Sequence, residues 1–381
     1  MNLCSKEWQR YKNKWIIRIF AGKFNPMKCL TVVGARPQFI KAAVVSRTIS
    51  QYTNIEEVIV HTGQHFDNCM SDIFFQEMSI PIPKYNLGIC NLTHGAMTGQ
   101  MLEGIEDILM KEQPDVVIVY GDTNSTLAGA LAAKKLHIKV AHVEAGLRSF
   151  NMNMPEEINR ILVDRISDWL FCPTNTAVNN LHNEGFDHFP CMVQQCGDVM
   201  YDAAMFYAPH AQKPAMEIPE KFILCTIHRA ENTDSQENIE SILQGLEEIG
   251  AQIPIIIPLH PRTKNILHRL HFNFDQSPIH FIDPVGYFEM IYLLQHCALV
   301  VTDSGGVQKE AFFFQKNCVI LREETEWVEL VQQGYNAIAG THPQNIVQTI
   351  QEFLDRKMDF SMPLYGDAHA GEKIVKTLLQ A

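Results

Sequence analysis

The sequence predicts two doubly wound α/β domains facing one another across a cleft. Short β-rich apolar runs alternate with helical stretches, which is the pattern of βαβ units and parallel sheets. The alternation is broken once, by the proline-dotted, unpatterned segment YAPHAQKPAMEIPEK at 207–221, and then begins again. The 381 residues, 46% of them hydrophobic and 19% charged, are enough for two domains, each with a sizeable core.

The first series places strands at 29–33, 58–62, 116–120, 140–143 and 169–172, with helices near 37–50, 97–112, 124–136, 155–167 and 174–184. The second places strands at 223–226, 253–258, 279–282, 299–302 and 318–321, with helices near 235–250, 262–270, 286–296, 306–315 and 325–333. Ahead of both, the first 26 residues hold six Lys/Arg against one acid, Glu7, around a short apolar patch at Trp15–Ile17. That patch is too short for a signal peptide. Residues 1–27 therefore read as a poorly ordered basic extension, or as an upstream start with Met27 as the alternative initiator.

Charge narrows the partners. The formal net charge is −12, and without the first 26 residues it becomes −17, with 25 basic against 42 acidic residues, which argues against nucleic acid. An anionic substrate must then be met by a local site. No run of about 18 apolar residues exists to span a membrane. Ten cysteines are scattered without CxxC or Cys/His metal spacing, so reduced thiols and a cytoplasmic location are expected.

Ligands in doubly wound sheets bind beyond the carboxyl ends of the strands, and the informative residues fall there. After the first strand comes GARPQFIK (34–41), with Pro37 suited to a first helical turn and Lys41 one turn on. Neither a GxxxxGK[ST] loop nor a GxGxxG fingerprint occurs, so ATP and NAD readings lose ground. Later strand ends carry GDTN (121–124) and EAGLR (144–148), and MPEEINR (154–160) opens a helix. Glu156 and Arg160 are spaced for a solvated i,i+4 ion pair, which is the plain alternative to a functional role. In the second half HRAEN (228–232), HPR (260–262) and TDSGG (302–306) follow strands. Two glycines at a helix start allow close approach of an anion, although Asp303 or Ser304 as an ordinary N-cap would also explain the corner. With no Asp-x-Asp pair for a metal-bound diphosphate, cationic side chains and helix N-termini must neutralise phosphate. Ser304, Gly305 and Gly306 as a diphosphate seat, with Glu310 accepting ribose hydroxyls, describe a nucleoside diphosphate site.

Taken together, GARPQFIK, HTGQH, YGDTNS, HVEAGLRS, MPEEINR, HRAEN, HPRT and TDSGGVQKEA occur in the order found in the non-hydrolysing UDP-N-acetylglucosamine 2-epimerases, and the chain resembles that family from about residue 28 to 365. HFDNCMSDIFF, IDPVGYFEM and EETEWVEL look most like the branch acting on UDP-2,3-diacetamido-2,3-dideoxy-glucuronate in bacterial surface polysaccharide synthesis, including lipopolysaccharide O-antigen. The resemblance implies a glycosyltransferase-B-like fold of two Rossmann-like domains, 28–206 carrying the sugar and 207–365 the UDP. It also implies a C-terminal helix within 366–381 crossing back, a homodimer, and no cofactor or metal. By motif, Asp122, Glu144, Glu156 and His228 match catalytic positions. Arg36, Lys41, His65, Arg160, His260, Met290, Ser304, Gly305, Gly306, Glu310 and Arg322 match or neighbour substrate and UDP positions, and Arg322 or a nearby cation is suited to a C6 carboxylate. Met290 stands where many members place phenylalanine against uracil. Gln64-His65-Phe66-Asp67 and Asn91 depart from the pattern of members activated by a second substrate molecule.

These residue types suit the chemistry that the family implies. The C2 proton of an N-acetyl sugar is weakly acidic, so a base must pull while the C1–O bond to UDP breaks, leaving a 2-acetamidoglucal; re-addition on the other face gives the epimer. A glycosyltransferase of the same fold, a hydrolysing epimerase and a non-catalytic nucleotide-sugar sensor are the rival readings.

Overall fold

The computed structural model describes residues 26–64 and 80–380. The expected basic extension lies outside the described residues except for its last two, and the second of these, Met27, already begins a strand.

The first unit comprises β1 (Met27–Val33), α1 (Arg36–Ile49), β2 (Ile55–His61), β3 (Tyr85–Asn86), α2 (His94–Glu112), β4 (Val116–Tyr120), α3 (Asn124–Lys135), β5 (Lys139–Val143), α4 (Pro155–Ile166), β6 (Trp169–Cys172), α5 (Asn175–Asn183), β7 (Met192–Gln195) and α6 (Val199–Tyr207). Its described strands form one parallel sheet in the order β3-β2-β1-β4-β5-β6-β7. Central strands of such sheets are covered on both faces and read as unbroken apolar runs; β4, VVIVY, is buried at every position. Small residues let α3 approach the sheet, where a Cβ on Gly129 would lie 3.1 Å from Val32 Cγ2 and 3.2 Å from Val119 Cγ1.

The second unit comprises β8 (Ile223–Thr226), α7 (Ala230–Thr233), α8 (Gln236–Gly250), β9 (Ile255–Pro258), α9 (Pro261–Arg269), β10 (Ile279–Ile282), α10 (Tyr287–His296), β11 (Leu299–Thr302), α11 (Gly305–Phe313), β12 (Cys318–Ile320), α12 (Val328–Gln332), β13 (Asn336–Ile338) and α13 (Pro343–Leu354). Its described strands are again all parallel, in the order β10-β9-β8-β11-β12-β13.

A final helix, α14 (Ala370–Leu379), packs on the first unit. The buried Asp202 carboxylate of α6 accepts from the Ala370 and Gly371 amides at 3.1 and 2.8 Å. A Cβ on Gly371 would lie 2.7 Å from Val44 Cγ1 of α1, so only glycine fits that crossing without a shift. One apolar cluster runs through α1, α6 and α14 into Tyr287, Ile291, Phe312 and Phe313 of the second unit, so the two sheets are joined by a shared hydrophobic seam.

Several elements differ from expectation for identifiable reasons. β7, MVQQ, is a half-exposed edge strand without an apolar run, and β3 and β13 are only two and three residues long. The helix expected over 325–333 is confined to α12. Thr325 Oγ1 accepts from Trp327 N at 3.1 Å and donates to Gln308 Oε1 at 2.6 Å, so a tertiary tie holds 322–327 out of helix.

Candidate active site

The corner between β11 and α11 is not an ordinary cap. Ser304, at the N-cap, makes no side-chain cap hydrogen bond. Asp303 is fully buried and turned toward the neighbouring strand end, where its oxygens accept from the amides of His228 (3.1 and 3.0 Å) and Arg229 (3.0 Å) and from Asn232 Nδ2 (3.1 Å). Among the described residues the first amides of α11 thus have no side-chain cap and are placed to meet an anion, as helix N-termini do. The glycines have separate reasons. A Cβ on Gly305 would come within 2.6 Å of Glu326 Oε1, whereas one on Gly306 would meet nothing nearer than Ser304 Oγ at 3.9 Å. A side chain at the first would have to displace the Glu326 carboxylate; the second keeps open the space in front of the helix.

One turn further along α11, Glu310 is buried, and burial pushes its carboxyl up to about 7 against the lowering pull of Arg36 and Lys309. Arg36, the first residue of α1, thereby acts across the seam on the second unit, and its charge also bears on His228.

On the first unit, Glu144 follows the last residue of β5 and lies in the left-handed region at φ 71°, a strained conformation for a residue with a side chain. Its carboxylate is buried and clamped by two lysines, Lys41 of α1 and Lys309 of α11, the latter at 2.9 Å. Burial alone would raise this carboxyl, but Lys309 and then Lys41 outweigh it and hold it at about 2. Asp122, beyond β4, pairs with Arg160 and keeps its side chain 28% exposed.

The Glu156–Arg160 ion pair, the plain alternative to a functional role, is not formed. Arg160 Nη1 bonds Glu157 at 2.9 Å, because Glu157 is buried and also accepts from Ser149 N (2.9 Å), Ser149 Oγ (3.0 Å) and Phe150 N (2.9 Å). Glu156 stays half-buried in the first turn of α4 and makes no ion pair among the described residues.

The remaining expected residues divide. His228 lies at the end of β8 with its ring 5.7 Å from that of His260 and 38% exposed; partial burial and the charges of Arg229, Arg36 and Arg262 hold its imidazole below its ordinary value against the pull of Asp303. His260 caps α9, its Nδ1 accepting from Arg262 N at 3.2 Å. Met290 on α10 packs partly against the core beside β11. Arg322 is buried; Nη1 bonds Glu326 at 3.0 Å, while Nε and Nη2 have no hydrogen-bond partner among the described residues, and Glu231 lies 4.0 Å from Nε. His65 falls outside the described residues. Its neighbour Gln64 accepts from Ser125 N and Oγ at 3.1 and 2.8 Å.

The model of the family described as UDP-N-acetylglucosamine 2-epimerase matches residues 47–379. The chain belongs to this family. Among 2-epimerases it is 54% identical, over 92% of its length and 99% of the relative's, to the UDP-2,3-diacetamido-2,3-dideoxy-D-glucuronate 2-epimerase of Pseudomonas aeruginosa. The Methanocaldococcus jannaschii UDP-GlcNAc 2-epimerase, in complex with UDP-GlcNAc and UDP, superposes with a TM-score of 0.86 at 42% identity, covering 93% of this chain and 100% of that one. The Neisseria meningitidis UDP-GlcNAc 2-epimerase bound to UDP-GlcNAc gives 0.84 at 31% identity, with coverage of 93% and 100%. The fold expected from the resemblance, glycosyltransferase-B-like with two Rossmann-like sheets, is the fold found.

The 2-epimerase-family chain also carries residues that strand-end reasoning passed over. Asp164, fully buried on α4, accepts from His142 Nδ1 (2.7 Å), Arg148 Nη1 (2.7 Å) and Gly146 N (3.1 Å), and so shapes the loop that presents Glu144. Lys309 and Asp198 complete the Glu144 cluster, with Nζ 2.5 Å from Asp198 Oδ2. Glu310 has a testable consequence. A carboxyl raised from 4.5 to about 7 binds a proton in the folded state that the unfolded chain has already lost, so stability falls as pH rises through that window. Glu310→Gln should therefore stabilise the unliganded protein by about 1–3 kcal/mol at pH 8 and have little effect near pH 4.5. Thermal melts across that range check this; equal stability of both proteins at pH 8 would contradict it.

Proposed function

We propose that this chain epimerises C2 of a UDP-linked 2-acetamido sugar without hydrolysis, and that its sugar is 2,3-diacetamido-2,3-dideoxy-glucuronic acid. The observation that carries the reading is the pairing of an uncapped α11 N-terminus, open in front of Gly306, with a first-unit rim of carboxylates whose Glu144 is tied to α11 itself. In this reading residues 28–206 hold the sugar, 207–365 hold UDP, and 366–381 close back on the first unit.

The roles follow from environment. Glu144, with its carboxyl held at about 2 by Lys309 and Lys41, takes a proton poorly and serves as a fixed anion beside the cation that develops at C1. Proton transfer at C2 then falls to the less enclosed Asp122 and Glu156, one for each face of the ring. As a carboxylate removes the C2 proton, the C–H electrons become the C1–C2 double bond and the C1–O electrons leave on UDP, in an anti elimination. The Ser304, Gly305 and Gly306 amides and Arg36 receive the diphosphate, with His228 beside them, while Glu310 accepts the ribose hydroxyls and Met290 packs at the base. In re-addition a carboxylic acid protonates the other face of C2 and the UDP oxygen closes on C1.

The diacetamido-glucuronate assignment draws on the 54% identical relative and on Arg322, whose buried Nε and Nη2 suit a C6 carboxylate. The wider reading is a cytoplasmic homodimer serving surface polysaccharide synthesis, such as lipopolysaccharide O-antigen. The exposed Phe150, Met152, Ile158 and Leu162 beside and along α4 suit a subunit contact. Among the described residues no helix is long and apolar enough to cross a membrane.

Proton NMR of the purified protein with UDP-GlcNAc and with the UDP-diacetamido-uronate tests the reading. We expect manno-configured nucleotide sugar from both, with a higher kcat/KM for the uronate. A higher value for UDP-GlcNAc would overturn the sugar assignment, and free sugar with UDP would indicate hydrolysis.

A further inference from the structure

Glu144 is not held by its own unit alone. Lys309 lies on α11, the helix whose N-terminus faces the proposed diphosphate, just over one turn into it. Its ammonium is 2% exposed, 2.9 Å from Glu144 Oε1, 2.5 Å from Asp198 Oδ2, and 4.0 Å over the ring centroid of Trp327. Burying a lysine is unfavourable unless its partners compensate, and its neighbours Ala311, Phe312 and Phe313 already bury α11 against the seam. The lysine therefore adds a charge, in a set place, to packing that apolar residues supply.

On the basis of the epimerase reading above, we propose that Lys309 is a positioning residue for the reaction: it keeps Glu144 an aligned anion at the sugar and links that state to the helix that receives the diphosphate.

The groups around Glu144 set what its loss would do. Lys41 faces the carboxylate from α1 and Lys309 from α11; Asp198 stands at the N-cap of α6, Tyr365 bears on both Glu144 and Asp198, and Glu310 and Glu329 of α12 bear on Lys309 and Asp198. Without Lys309 only Lys41 opposes burial, so the Glu144 carboxyl rises. At a pH below that new value Glu144 is neutral, and activity falls on the acid side.

The test uses the full chain as wild type, Lys309→Met, Lys309→Arg and the double variant Lys309→Met with Asp198→Asn. The double variant removes one positive and one negative charge together, leaving the net buried charge unchanged, and Asn retains an N-cap acceptor. Epimerisation of the UDP-diacetamido-uronate is followed from about pH 5 to about pH 9, with the thermal shift by UDP read alongside. Lys309→Met and the double variant should lose roughly tenfold or more of kcat near pH 6 and regain most of it near pH 9. Lys309→Arg should keep the wild-type acid limb, and the UDP shift should change little in all three. A loss that is the same at every pH, an unshifted acid limb in the folded double variant, or failure of Lys309→Arg to rescue would overturn the role of Lys309 while the wild type remains an epimerase. A wild type that epimerises neither sugar overturns the reading itself, and this inference with it.

Discussion

Asp122→Asn should lower kcat for epimerisation roughly 10²–10⁴-fold, the usual worth of a positioned acid or base, while UDP affinity changes little. The amide keeps the shape and can still meet the Arg160 guanidinium, but it neither takes nor returns a proton. UDP binding is spared if the nucleotide sits as proposed, because Asp122 lies beyond β4, on the first unit, whereas the proposed phosphate-binding corner is at the start of α11 of the second. Steady-state kinetics beside UDP titration by calorimetry separate the two effects. A variant with wild-type kcat would remove Asp122 from the chemistry, and one with unchanged kcat but weakened UDP would move the nucleotide to the first unit.

The largest effect on stability is expected at Asp164. Asp164→Ala leaves His142 and Arg148 without their shared acceptor in a fully buried place, and removing one member of a buried ionic network costs about 3–5 kcal/mol. The loop from Glu144 to Arg148 also loses the bond to Gly146 N, so whatever activity remains should fall as Glu144 is misplaced. Urea unfolding checks the first part. A loss under 1 kcal/mol would mean that the network relaxes onto other partners, with Glu184 the available one for Arg148 at 2.6 Å.

How much of this was legible in the sequence depends on whether a signal was local. The β11–α11 corner was readable because strand, polar corner, glycines and helix are consecutive, and the charged clusters after β1, β4, β5, β8, β9 and β11 lie at the carboxyl ends of their strands, where doubly wound sheets bind ligands. Between Glu156 and Glu157 spacing alone could not choose, since i,i+3 and i,i+4 partners of Arg160 are equally reachable. Ser149 and Phe150, folded back onto the start of α4, decided it by giving the buried place to Glu157. Asp164 reads as an ordinary helix-surface acid until the sheet brings His142 beneath it. Lys309 reads as a solvated lysine until α11 crosses the seam to Glu144. Such roles arise from pairings between distant segments, and no periodicity announces them.

In the proposed reaction C2 is deprotonated and reprotonated by protein groups while the bond from C1 to UDP breaks and re-forms. Running the epimerisation of the UDP-diacetamido-uronate in D₂O and examining the product by proton NMR tests it most directly. Deuterium is expected at C2 of the epimerised product, together with scrambling of an oxygen label between the bridging and non-bridging positions of the sugar-linked phosphate. Full retention of protium at C2 alongside genuine epimerisation would contradict it.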